Sequence, residues 1–166
     1  MELSKSLRRT IAAIFLASAI AAGTLAAGDD REAAPRFSVK TLDGERYSNV
    51  SLAGHPVLIQ FWATWCPKCR SDQPAVEAIT RDYARKGLVV LAVNIGDSKR
   101  SVLSYLELSP RKCKIVLNED TNLTALFGMA VTPLYVLIDK DGKIVGTQPG
   151  AGGEPLLRHL VRQAGL

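Results

Sequence analysis

Two histidines and three cysteines are all that this chain of 166 residues offers to a borderline metal ion. A structural zinc centre needs four ligands at short spacing. Outside one Cys-x-x-Cys pair the remaining candidates, His55, Cys113 and His159, are scattered and unpaired, so no metal site is expected. Aromatic residues make up only 6% of the chain, and no basic stretch is interleaved with them. The lysines and arginines are spread along the expected helices as a solvated face, which argues against a nucleic-acid surface. The formal net charge of +5 falls to about +3 once the first 27 residues are set aside, too mild to imply an acidic polymer as partner. There is no internal repeat. Cysteine is too scarce for a disulfide scaffold, and the body of about 139 residues is large enough to bury a core without crosslinks. The cysteines therefore call for another explanation.

Charge is missing altogether from residues 11–27, which follow a short basic opening of Lys5, Arg8 and Arg9. A basic start and an uncharged apolar run are the pattern of an export signal or a membrane anchor. At 17 residues, many of them alanine, the run sits at the lower edge of the roughly 17 to 25 that span a bilayer. Cleavage and retention both stay open; no cysteine follows the run to carry a lipid. The Arg8-Arg9 pair also fits a twin-arginine signal, with ordinary export the simpler reading. Residues 28–35 are polar and aperiodic and read as a linker. Residues 36–166 form the expected domain.

Within that domain, alternating residues 37–50 around Asp43-Gly44 predict a hairpin. Val57-Leu58-Ile59-Gln60-Phe61-Trp62 is nearly all apolar, as a central strand covered on both faces must be. A helix is expected over 67–86, with Val76, Ile79 and Tyr83 on one face, Pro74 inside it and Gly87 ending it. A second buried strand follows at 88–95, then a helix at 101–108, a short strand at 115–117 and a helix at 121–127. Strands at 134–139 and 143–147 flank Asp139-Lys140-Asp141-Gly142, and an amphipathic helix closes the chain over 154–164. The alternation of strands and helices, ending in a hairpin and helix, defines an α/β class: a small mixed sheet flanked by helices.

The pair Cys66-Pro67-Lys68-Cys69 stands between the first central strand and its helix. Cysteines three positions apart at a helix start lie on one side, about a turn apart, within reach of a disulfide. Cys66 would meet the unpaired amides and the positive end of the helix dipole, which favour a thiolate; Cys69, one turn inside, would resolve a mixed disulfide. Pro67 at the first helical position forfeits no hydrogen bond. Lys68 adds a cation near the developing thiolate and should make the disulfide more oxidising. A purely structural bond is the competing reading, although so short a loop would add little stability.

Phe61-Trp62-Ala63-Thr64-Trp65-Cys66-Pro67-Lys68-Cys69 resembles the active-site strand and turn of the thioredoxin superfamily, and Thr132-Pro133 resembles that family's cis-proline site. The leading hairpin, a segment inserted after the second βα unit at about 96–118, Pro74 and Asn94-Ile95-Gly96-Asp97 are similar to the TlpA/ResA branch of bacterial thiol reductases. The resemblance implies a thioredoxin-like fold, no cofactor and a monomer. It assigns Cys66 and Cys69 as the redox-active disulfide and Trp65, Pro67, Lys68, Thr132 and Pro133 as substrate-contact residues. It also implies that Asp97 takes and returns the proton of Cys69, a role that competes with simple capping of the helix that begins near Ser98. Trp62 would pack beneath the pair.

The function implied is reduction of disulfides on exported proteins, including apocytochrome c haem sites, in the periplasm or at the outer face of the inner membrane. A membrane thiol reductant of the DsbD or CcdA kind would reset the pair. Two departures bear on direction: proline precedes lysine between the cysteines, an order closer to DsbA-like oxidants, and aspartate replaces glutamate at position 97. The alternatives are thus a thiol oxidant or, from another class, a copper(I) metallochaperone. A peroxiredoxin is not expected, because Pro-x-x-x-Thr-x-x-Cys is missing around Cys66. Cys113, between two lysines, receives no role.

Overall fold

A computed structural model describes residues 30–166, so the expected export segment lies outside the described residues. Residues 31–166 form one compact unit. Its strands are β1 (Ser38–Thr41), β2 (Arg46–Ser48), β3 (Val57–Trp62), β4 (Val89–Asn94), β5 (Lys114–Thr121), β6 (Leu134–Ile138) and β7 (Ile144–Pro149). Its helices are α1 (Pro67–Tyr83), α2 (Lys99–Leu108), α3 (Leu123–Phe127) and α4 (Gly153–Arg162). They make a seven-stranded sheet ordered β2-β1-β5-β4-β3-β6-β7, and the mixed sheet flanked by helices is the expected architecture.

β3 runs parallel to β4, and β4 parallel to β5, while β6 pairs antiparallel with the other edge of β3. Every residue of β3 is buried. Leu58 and Trp62 face a core built with Val76 and Ile79 of α1 and with Leu157 and Val161 of α4. Val57, Ile59 and Phe61 face the opposite core, which includes Phe37, Val93 and Leu123. That two-sided cover explains the unbroken apolar run, since a strand exposed on one face would have alternated. Gln60 is the single polar side chain of the run and is fully buried.

The expected elements are present with shifted ends. α1 stops at Tyr83 and tightens into a 3-10 turn over Ala84–Lys86. Gly87, at φ 85°, closes that turn in the left-handed conformation that costs glycine nothing. β5 continues to Thr121 because its later residues find a partner in β1: Thr121 pairs with Val39. Residues 31–34, within the stretch expected as a linker, are held on the β6–β7 turn. The Ala34 amide donates to Gly142 O, the Ile144 amide donates to Glu32 O, and Arg31 pairs with Asp139 at 2.9 Å. Local polarity concealed this because the partners are more than a hundred residues away. No helix among the described residues is long and apolar enough to cross a membrane.

This topology sets up one pole of the sheet. Parallel β3 and β4 release their chains at the same end, as the loops at 63–66 and 95–98. Antiparallel β6 begins at that end, where Leu134 pairs with Phe61, and so brings Thr132-Pro133 beside β3.

Candidate active site

Cys66 is the N-cap of α1 and Pro67 its first residue. Cys66 and Cys69 are joined in a disulfide with their Cα atoms 5.3 Å apart. The amide of Cys69 donates to Cys66 Sγ at 3.1 Å, so a free amide of the first turn is already aimed at the leading sulfur. No acidic residue occupies that first turn, leaving the positive end of the dipole unopposed. Exposure does not distinguish the two cysteines, at 4% and 3%. What sets Cys66 apart is its place ahead of the helix, with Cys69 a turn inside.

Thr132-Pro133 is a cis peptide bond and lies against both sulfurs. Thr132 O is 3.7 Å from Cys66 Sγ, and Thr132 Oγ1 is 3.5 Å from Cys69 Sγ and donates to Phe61 O at 3.3 Å. Trp65 is 60% exposed at the rim, whereas Trp62 is buried beneath the pair, as anticipated. Pro67 and Lys68 are exposed on the same turn. Trp65, Pro67 and Lys68 thus form an exposed surface around the pair, while Thr132 is half-buried against the sulfurs and Pro133 is buried.

Asp97 reaches this surface from the β4 side but touches neither sulfur. Its Oδ2 accepts from the Thr64 amide at 2.8 Å and from Asn94 Nδ2 at 2.8 Å, and its Oδ1 accepts from Thr64 Oγ1 at 2.7 Å. The capping alternative is corrected: Ser98 itself caps α2, accepting from the Ser101 amide at 3.2 Å. Partial burial pushes the Asp97 pKa up, but the hydrogen bonds from the Thr64 amide, Asn94 and the Thr64 hydroxyl outweigh it. Together they hold the carboxyl below its ordinary range.

Behind the pair lies a polar chain that the sequence reading missed. Asp72, one turn beyond Cys69, is 2% exposed. Its carboxylate accepts from Tyr135 OH at 2.9 Å and from the amides of Gly152 and Gly153 at 2.9 and 3.0 Å. Gly152 has no side chain to cap α4, so Asp72 supplies the cap from another helix. Gln60 Nε2 donates to Tyr135 OH at 3.2 Å, and Arg111 Nη2 donates to Gln60 Oε1 at 2.6 Å. The Arg111 guanidinium stacks 4.7 Å from the Trp62 ring and meets Glu77 at 3.5 Å. Cys113 ends this chain, buried, with its thiol directed at Glu77; burial pushes it up to about 11. A signal was available: Asp72 shares the helical face of Val76, Ile79 and Tyr83, and Gln60 interrupts an apolar strand.

His55 and His159 lie at exposed positions, His55 with Nδ1 3.2 Å from Gly87 O. No group of three or more His, Cys, Asp or Glu able to hold a metal occurs among the described residues.

A mixed sheet that presents a bonded cysteine pair at a helix start, against a cis X-Pro bond, is the architecture of the thioredoxin-like class. The Redoxin family profile matches residues 27–159, and the chain belongs to that family. It is similar to the thiol-disulfide oxidoreductase ResA of Geobacillus thermodenitrificans, with 31% identity over 111 residues, 67% of this chain and 64% of that one. It is 35% identical over 114 residues to the thioredoxin-like protein YneN of Bacillus subtilis, covering 67% and 66% of the two chains. Both alignments span slightly less than two thirds of the relative's length. A thioredoxin-family thiol:disulfide interchange protein from Chlorobium tepidum superimposes with a TM-score of 0.73 at 25% identity, over 81% of this chain and 96% of that one.

Proposed function

We propose that this protein is a thiol–disulfide oxidoreductase that reduces disulfides of exported proteins. The observation that carries the reading is the Cys66–Cys69 disulfide at the start of α1, with an amide on Cys66 Sγ and the Thr132-Pro133 edge alongside.

In the reduced protein, the Cys66 thiolate attacks one sulfur of a substrate disulfide. A mixed disulfide forms between Cys66 and that sulfur, and the other substrate sulfur leaves as a thiolate. Cys69, deprotonated, then attacks Cys66 Sγ; the pair closes and the substrate leaves with both sulfurs reduced. Two electrons pass from the pair to the substrate. The first-turn amides and helix dipole lower the energy of the Cys66 thiolate at each stage where it appears. Trp65, Pro67 and Lys68 form the surface on which an extended substrate segment lies, with the backbone at Thr132-Pro133 as its pairing edge. A membrane thiol reductant of the DsbD or CcdA kind restores the dithiol, and an apocytochrome c haem site is one substrate of fitting chemistry. The charge-free run at residues 11–27 supports work outside the cytoplasm.

Lys68 favours the second reading, a thiol oxidant running the same cycle backwards, because a cation beside Cys66 stabilises the reduced state. Trapping tests the common core of both. A Cys69→Ser variant should accumulate partners disulfide-linked to Cys66 that dithiothreitol releases. Absence of any such adduct, with stoichiometric copper(I) binding by the parent, would replace exchange by metal carriage.

A further inference from the structure

Asp97, expected to trade a proton with Cys69, makes its hydrogen bonds to Thr64 and Asn94 rather than to either sulfur, and its surroundings assign it a different task. The chain leaves β3 at Trp62 and reaches Cys66 after three intervening residues. That short loop is pinned from the β4 side at two points. The Ile95 amide donates to Trp62 O at 2.8 Å, and Thr64 is gripped through both its amide and its hydroxyl by the Asp97 carboxylate. The Cys66 amide closes the turn onto Ala63 O at 3.3 Å.

The grip is itself braced. Asn94, 1% exposed at the end of β4, donates to Asp97 Oδ2 and accepts from the Asp97 amide at 3.1 Å. Gly96, at φ 96°, provides the left-handed step that turns the carboxylate back over the sheet toward Thr64, a conformation that L side chains rarely adopt. Three donors therefore converge on one carboxylate, and all of them come from the loop before Cys66 or from the strand that supports it. Cys69, whose proton must move in the resolving step, makes its side-chain contact on the other side, with Thr132 Oγ1.

We propose that Asp97 is a positioning residue: through Thr64 it fixes the loop that carries Cys66, and it exchanges no proton with the cysteine pair. This rests on the reading of Cys66 and Cys69 as the exchange centre. The hydrogen bonds that hold the carboxylate ionised also make it a poor base for a thiol. Displacing a reacting atom by about 1 Å can cost on the order of 100-fold in rate, so a loop held at two points is a plain way to protect the attack geometry.

The test uses the full chain and three variants, Asp97→Asn, Asp97→Ala and Thr64→Val. Two quantities are measured: the rate at which the reduced protein attacks an aromatic disulfide between pH 5 and 9, and hydrogen exchange at the Thr64 amide. An asparagine can keep all three contacts, since its oxygen accepts from Thr64 N and Asn94 while its amide donates to Thr64 Oγ1. Asp97→Asn should therefore stay within about threefold of the parent, with the same pH profile and a protected Thr64 amide. Asp97→Ala should lose about tenfold or more and deprotect that amide, and Thr64→Val should fall between. If Asp97→Asn falls as far as Asp97→Ala and loses an ionisation from its pH profile, while Thr64→Val matches the parent, Asp97 is a proton carrier and the proposal is wrong. A parent chain that attacks no disulfide would overturn the exchange reading instead. The clamp would then be judged on Thr64 protection alone, which must survive in Asp97→Asn and vanish in Asp97→Ala.

Discussion

Two carboxylates flank the cysteine pair, and their settings differ. Asp97 stands in front, partly solvated, and all its partners lie in Thr64 and Asn94. Asp72 stands behind, sealed from water, and its partners come from β6 and the start of α4, continuing through Gln60 to Arg111 and Glu77. The front group orders one short loop. The rear group ties a helix, two strands and a second helix together, so a loss there leaves buried donors with nothing to bind. Acids near one reactive pair can thus have separate duties, one local and geometric, the other holding the fold in which that geometry exists.

The comparison breaks most sharply at Asp72. Asp72→Ala strands the Tyr135 hydroxyl and two α4 amides, and should lower unfolding free energy by about 3 kcal/mol or more. Tyr135→Phe, which removes one hydroxyl and leaves the α4 cap in place, should cost about 1 to 2 kcal/mol. Urea unfolding of both variants measures the difference. Equal small losses for the two would mean that water reaches the rear chain and that it is no spine.

Acid sharpens the contrast from the other side. The Asp97 pKa is depressed in the folded state, so the stability it contributes is fully present above the unfolded carboxylate value, about 3.9. It is lost only as pH falls through the lower folded value. Thr64 amide protection, relative to the global opening of the protein, should be unchanged between pH 7 and 5 and weaken only in stronger acid. Loss of protection already near pH 6 would contradict the assignment.

The smallest effect is expected at Cys113. With burial holding its thiol near 11, the native protein at pH 8 should leave it unmodified by iodoacetamide while Cys66 in the reduced pair reacts. Mass spectrometry of the alkylated chain reads this directly, and Cys113→Ala should leave exchange rates unchanged.

Much of the site was legible because it is local. The end of β3, the two tryptophans, the cysteine spacing and Pro67 sit within nine consecutive residues, 61–69, and Thr132-Pro133 opens the strand that pairs with β3. The rear chain was not legible from spacing, since Asp72 meets Tyr135 across 63 residues and Arg111 meets Gln60 across 51. Only the rule that buried polar groups need partners pointed to it, through Gln60 in an apolar strand and Asp72 on an apolar helix face. Asp97 was found, but its partner was not: Thr64 is a neighbour only because β3 and β4 run parallel and end together. The placement of residues 31–34 escaped for the same reason, their polarity giving no hint of the turn on which they rest.

The reduction potential of the Cys66 and Cys69 couple bears most directly on the function proposed for this protein. The full chain is equilibrated against glutathione and dithiothreitol buffers and the fraction of disulfide is read at each ratio. A reductase requires a value near or below thioredoxin's, about −270 mV, and that is the result expected; a value near DsbA's, about −120 mV, would mean that Lys68 and the helix dipole dominate and that the protein oxidises its partners.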